Sequence, residues 1–351
     1  MIDGKRLLIT GHRGYIGSVM APYFARHGYD VRGLDVGYFD ECTLVQPESE
    51  IPSVTKDIRD LLADDVEGFD AIIHLAALSN DPIGNLNEGW TEEINHQASV
   101  RLAELALESG VQRFLFSSSC IMYGMAATQL VDETAPVDPK TEYAKSKVLA
   151  ERAISELSSD HFSPTFLRNG TVYGLSPRMR FDTVMNDFVG TAYTTGRVVV
   201  FGNGTPWRPV VHVEDVARSF RAVLEAPREV VHNEIFNNGS AHLNFQVREL
   251  AEIAASVVPT CSVEILGSPG VDQRTYEADF SKFARVFPDF EFKWNPRSGA
   301  LDLVDAFGRI GLTTASYEDA RFTRLRWLEH LLQTGALDSS LRWNATQGAT
   351  R

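Results

Sequence analysis

Cysteine is scarce in this chain: Cys42, Cys120 and Cys261 are the whole complement of its 351 residues. They are odd in number and widely spaced, which excludes a disulfide framework and a zinc-type ligand pattern. No metal is expected, and a reducing cytoplasm is the expected setting. Long apolar runs are missing too. None approaches the roughly 20 residues that a membrane-spanning helix requires. The first apolar strand begins within a few residues of Met1, so no signal peptide is expected. Positive charge is in deficit, with 33 Lys and Arg against 47 Asp and Glu, a net charge of −14. A surface of that sign repels polyanions, so neither nucleic acid nor a membrane surface is an expected partner. An anionic small molecule needs only a local cluster of arginines. There is no internal repeat and no low-complexity segment.

What is present is ordinary for a globular chain, 44% hydrophobic and 23% charged. The length suits one large or two unequal domains. Four apolar runs of strand length open the sequence: RLLIT (6–10), DVRGLD (30–35), AIIHLAA (71–77) and RFLFSSS (113–119). Between them lie helical stretches at Tyr15–His27 and Glu92–Ser109. In the second, Ile94, Ala98, Leu102, Leu105 and Ala106 recur at helical spacing. Near-continuous apolar strands alternating with amphipathic helices predict an α/β fold, a Rossmann-like doubly wound parallel sheet. PTFLR (164–168) reads as a further strand. Beyond about Gly174 the pattern loosens into Gly- and Pro-rich loops with helices between them. The expected organisation is therefore a dinucleotide-binding domain over 1–174, with a segment near 208–240 returning to it. A smaller C-terminal α/β substrate lobe over 175–338 and a frayed tail over 339–351 follow.

The first run leads directly into Gly11-His12-Arg13-Gly14-Tyr15-Ile16-Gly17. Gly11 permits a tight turn, Gly14 lets the backbone approach a pyrophosphate, and Gly17 lets the next helix pack closely on the sheet. The free N–H groups of that helix would face the phosphates. Asp35 follows 18 residues after Gly17, at the end of the second strand. There it would accept from the adenosine ribose hydroxyls and repel a 2′-phosphate, which favours NAD over NADP. Asp57 and Ile58 are expected to bracket the adenine, and Leu75, Ala76 and Ala77 to pass beneath the dinucleotide.

Ser119 ends the fourth run, and Tyr143 and Lys147 stand four apart, on one face of a helix that follows Asp138. A free tyrosine, with a pKa near 10, is a poor base at neutral pH. A neighbouring ammonium and a positive nicotinamide ring both favour its phenolate. Tyr143 would then take the proton of an alcohol while hydride leaves for the nicotinamide. Ser119 would hold the same oxygen, and Lys147 would also reach the nicotinamide ribose.

The stretches TGHRGYIG, HLAALSNDP, SSSCIMYG, YAKSK, LRNGTVYG and GNGTPWRPVVHVEDVA resemble the extended short-chain dehydrogenases/reductases. Within them they resemble the nucleotide-sugar epimerases and dehydratases, closest in type to UDP-glucose 4-epimerase-like enzymes, over nearly the whole chain. The resemblance implies tightly held NAD, a nucleoside-diphosphate sugar as substrate, and a homodimer. It places Tyr15, Ile16 and Asn95 with the cofactor. It also places Arg208 and Arg274 on the nucleotide phosphates, with Arg178, Arg180 and Asn186 as further candidates. Arginine suits such points because its fork pairs with phosphate in two places.

Two departures bear on the chemistry. Dehydratases of this group carry an Asp-Glu pair directly after the hydroxyl residue, where this chain has Cys120 and Ile121. Isoleucine exchanges no proton, and Cys120 reads as a small buried hydrophobe. Many members also read R-x-x-N where this chain has Arg168 and Thr171. Thr171 keeps one hydrogen bond to the sugar, and Asn80 is a second candidate there. The expected activity is epimerisation at C4 through a transient 4-keto sugar. The alternatives are a 4-ketoreductase or dehydratase on a related sugar nucleotide, or a non-catalytic NAD(P)-binding regulator.

Overall fold

The computed structural model describes residues 4–79, 83, 86–267 and 274–344, with only the backbone at 126–129. Its strands are β1 (Arg6–Thr10), β2 (Asp30–Asp35), β3 (Ser53–Thr55), β4 (Ala71–His74), β5 (Arg113–Ser119), β6 (Met125–Val131) and β7 (Ser163–Asn169). They continue with β8 (Thr171–Tyr173), β9 (Arg197–Val200), β10 (Trp207–His212), β11 (Glu234–Asn238), β12 (Asn244–Gln246), β13 (Ser262–Ile265) and β14 (Thr275–Ala278). Seven of them form one sheet in the order β3-β2-β1-β4-β5-β7-β11. Every neighbouring pair in it is parallel. The order reverses at β1, between β2 and β4. In open parallel sheets that reversal opens a crevice at the carboxyl ends of the strands.

Alternation along β1 shows how the sheet is sandwiched. Leu8 faces one core with Ile72, Phe114 and Phe116, against helices α2 (Ala98–Glu108) and α3 (Glu142–Glu156). Leu7 and Ile9 face the other with Ile73, Leu115 and Leu167, against α1 (Gly17–Arg26) and α4 (Val213–Glu225). Successive side chains on a strand point to opposite faces, so a run buried on both must be apolar throughout. A third core gathers Tyr173, Met185, Phe188, Val198, Val210, Leu250 and Phe307 in the C-terminal lobe. No helix among the described residues is long and apolar enough to cross a membrane.

Several boundaries move from the sequence reading. Only Ala71–His74 of AIIHLAA is strand, because the chain leaves the sheet at Leu75 to form the floor of the crevice. The first helix starts at Gly17, since Tyr15 and Ile16 remain in the phosphate-type turn. Before α2 the helix widens to π geometry over Glu92–Gln97, a form often met at functional sites. The C-terminal segment is the larger correction. Helix α5 (Arg324–Gln333) sends Trp327, Leu328 and Leu331 into the first core rather than the lobe. The tail expected to fray at 339 is held through residue 344. Trp90 donates to the Ser339 carbonyl at 2.9 Å, and Arg59 to that of Leu341 at 3.0 Å.

Candidate active site

The crevice runs from the end of β2, across the start of α1 and the loop after β4, to the ends of β5 and β7 and the start of α3. Gly11 begins it with φ of +74°, in a region that side chains avoid. A Cβ there would stand 2.6 Å from the Ala76 nitrogen. One on Gly17 would stand 2.2 Å from the Gly11 carbonyl oxygen. The two glycines thus let the turn lie directly on the β4 loop, leaving an open cradle above it. Beneath that loop, Ser99 donates to the Asn95 carbonyl, so His74 donates to Ser99 from Nε2 and accepts from Thr10 at Nδ1, at 2.7 and 2.6 Å. Burial first, and the Lys147 charge second, push this histidine down to about 3, so the ring is a neutral brace.

At one end Asp35 accepts from the backbone N–H of Arg13 at 3.0 Å and of Gly37 at 2.9 Å. Burial raises its carboxyl above the ordinary range and the two amides oppose that rise. Asp57 also lines the crevice, but its carboxylate is occupied by Arg59, with Nη2 at 2.6 Å. Ile58, Leu75, Ala76 and Ala77 line the same stretch, as do Gly14, Tyr15 and Ile16. The Tyr15 hydroxyl is already spent: it donates to the Gly174 carbonyl at 2.7 Å and accepts from Asn186 at 3.0 Å.

At the other end Ser119, Ile121, Tyr143, Lys147 and Thr171 line the crevice together. Thr141 caps α3 by accepting from the Ala144 N–H, which starts the helix just before Tyr143. Lys147 is 3% exposed and donates to the Ser117 carbonyl at 2.8 Å. Its ammonium lies 4.5 Å from the Phe116 ring centroid and 5.9 Å from that of Tyr143. Burial pulls it down to about 8, with Glu151 opposing. Ser119 accepts from the Ile121 N–H at 3.3 Å. Cys120 is fully buried and its thiol faces the Arg168 carbonyl, with burial pushing its pKa well up. Arg168 does not face the crevice. It is tied to Glu151 at 2.8 Å and to the Tyr123 hydroxyl at 2.9 Å.

Four expected contacts fall elsewhere. Asn95 is completely buried and grips the Leu78 backbone, accepting at 2.8 Å and donating at 3.1 Å. It does not line the crevice and instead holds the loop at its floor. Asn186 spends its amide on the Gly174 N–H, the Tyr15 hydroxyl and the Arg180 carbonyl. Arg208 turns to the carbonyls of Trp207 and Arg274, while Arg274 and Arg180 do line the crevice. Arg178 points to Thr43. Asn80 lies outside the described residues. The sequence reading missed Tyr38, Phe39, Ser79, Asn169, Tyr276 and Arg324, all at the crevice. Tyr38 and Phe39 follow Asp35 so closely that position alone signals them. Nothing local marks Arg324.

These features fit a nicotinamide dinucleotide: a backbone cradle at an open helix start, a carboxylate at the ribose end, and a hydroxyl, phenol and ammonium at the far end. A family model described as the NAD dependent epimerase/dehydratase family matches residues 7–239. A UDP-glucose 4-epimerase of Corynebacterium glutamicum is 26% identical over 269 residues, 72% of this chain and 80% of the relative. The dTDP-D-glucose 4,6-dehydratase of Mus musculus is 25% identical over 254 residues, 69% of each chain. Among solved structures, MoeE5 in complex with UDP-glucose and NAD has a TM-score of 0.74 and 25% identity. That match covers 87% of this chain and 99% of MoeE5.

Proposed function

Because the chain belongs to the NAD-dependent epimerase/dehydratase family, we propose that it epimerises a nucleoside-diphosphate sugar at C4 through a transient 4-keto sugar. The observation that carries this reading is Ile121 at the reacting end of the crevice, beside Ser119, Tyr143 and Lys147. The carboxylates that line the crevice among the described residues are Asp35 and Asp57, both at the adenosine end. Elimination of water needs an acid and a base beside the sugar, whereas reversible oxidation at C4 needs one proton acceptor.

NAD, when bound, supplies the hydride acceptor and then the donor. Tyr143 takes the proton of the 4-hydroxyl and later returns it. Ser119 holds that oxygen, and the buried Lys147 charge favours the phenolate. Thr171 contacts the sugar, and Arg274, beside Arg208, meets the substrate diphosphate. Relatives named as UDP-glucose 4-epimerases and the MoeE5 complex with UDP-glucose support a sugar nucleotide of this class.

The test is a panel of sugar nucleotides without added cofactor, using substrate deuterated at C4. The product is expected to have unchanged mass, to keep the deuterium, and to gain none at C5 from heavy water. A product lighter by one water, or solvent label at C5, moves the activity to a dehydratase. A requirement for added NAD(P)H moves it to a 4-ketoreductase.

A further inference from the structure

Arg324 opens α5, far along the chain from the glycine turn and the β4 loop, yet its side chain reaches the crevice wall and is 3% exposed. One arm is accounted for. Nη2 donates to the Arg178 carbonyl at 2.8 Å, and the guanidinium carbon lies 4.3 Å from the centroid of the Phe39 ring. The other arm is not. Nη1 is buried and has no hydrogen-bond partner among the described residues. A buried charged donor left without a partner is costly, and an anion reaching it from the crevice would relieve that cost.

The surroundings indicate the sign and shape of that ligand. Arg180 lies close by, linked through Asp182. That one carboxylate accepts from Arg180 Nε at 2.8 Å and from the Arg324 backbone N–H at 3.1 Å. Asp182 pairs with the Arg180 guanidinium and holds Arg324 by its backbone, so two buried guanidiniums stand near one carboxylate and the crevice wall keeps an excess of positive charge. Burial and the Arg180 charge pull Arg324 down to about 10, which still leaves it charged. The N-terminus of α1 lines the same crevice. Ile16 gives it no side-chain cap, and no acidic residue lies in its first turn. Such a terminus attracts an anion. Asp35 and Tyr143 line the same crevice, and the diphosphate of a dinucleotide bound there must pass between them.

We propose that Arg324 meets the cofactor diphosphate together with the N-terminus of α1, with Arg180 as its partner, which makes the C-terminal helix part of the dinucleotide site. The helix is well anchored for this task. Trp327 donates to the Tyr38 carbonyl at 2.7 Å, in the loop that follows Asp35. Cofactor binding and docking of the C-terminal segment then support each other, since a ligand that contacts both favours the state in which both are in place. The inference rests on NAD binding alone and is independent of which sugar reaction follows.

The test is calorimetric titration of the full chain, stripped of cofactor, with NAD and with ADP-ribose at low and high ionic strength. R324Q is expected to bind both about tenfold more weakly at low salt, with the gap narrowing at high salt, as a lost charge contact requires. R324K keeps the charge but not the fork, and is expected to recover part of the affinity without lowering the melting temperature of the empty protein. Binding by R324Q within twofold of wild type overturns the proposal. So does a loss in R324K equal to that in R324Q together with a lowered melting temperature, which marks a purely structural arginine. Should R324Q not fold, R324K decides: salt-sensitive weakening supports the clamp, and wild-type binding overturns it. None of these readouts depends on turnover, so failure here leaves the C4 reading standing.

Discussion

The Lys147 ammonium lies 5.9 Å from the centroid of the Tyr143 ring and is anchored by the Ser117 carbonyl at 2.8 Å. The lysine therefore approaches the tyrosine as a fixed charge, held from below by the strand that carries Ser119. That arrangement would stabilise a phenolate without neutralising it, as the proton transfer proposed for Tyr143 requires.

Tyr143→Phe keeps the ring and its packing but removes the proton acceptor. Turnover should fall by about three orders of magnitude or more, while NAD affinity stays within a fewfold of wild type. Activity within about threefold of wild type would remove Tyr143 from the reaction.

Asp35, proposed to meet the cofactor ribose, also holds the fold. Asp35→Asn should weaken NAD and relax the exclusion of NADP, because the charge that repels a 2′-phosphate is gone. Asp35→Ala should also lower the melting temperature, because the Arg13 and Gly37 amides lose their common acceptor. Parallel titrations with NAD and NADP check the first part. NADP affinity unchanged in both variants would show that the exclusion arises elsewhere.

Lys147 carries a stability cost. Its charge is easier to hold in the unfolded chain, near 10.5, than in the fold, near 8. The cost is full below about pH 8 and fades as pH rises toward the unfolded value. A shift of that size corresponds to roughly 3 kcal/mol. Lys147→Met should therefore be inactive yet gain more stability at pH 7 than at pH 10, less whatever the unpaired Ser117 carbonyl takes back. Urea unfolding at the two pH values measures it. A difference that does not depend on pH would mean that the ammonium is not the source.

Gly11→Ala forces a side chain into a positive φ and against the Ala76 backbone. We expect a loss of about 2–4 kcal/mol in stability and of most NAD affinity. Gly110 also has a positive φ, but no atom lies within 4 Å of its added Cβ. Gly110→Ala should thus cost only about 1 kcal/mol and leave binding unchanged. Equal effects in the two variants would show that backbone conformation alone, not the approach to β4, sets the requirement at Gly11.

Local chemistry made much of this protein legible in its sequence. Strand and helix periods are properties of neighbouring residues, so the alternating first half, the glycine turn and the i, i+4 pair of Tyr143 and Lys147 could be read from spacing. The position of Asp35 followed from the length of one βαβ unit. What spacing could not reveal was where long polar side chains point. Asn95, Asn186 and Arg208 each turned to a backbone group or a buried hydroxyl that needed a partner, because leaving it unpaired costs more than a contact with a ligand returns. The C-terminal helix followed the same logic at larger scale. Its Trp327 and Leu328 matched a gap beside Tyr38 almost 290 residues away, and only packing across that distance could carry Arg324 to the crevice.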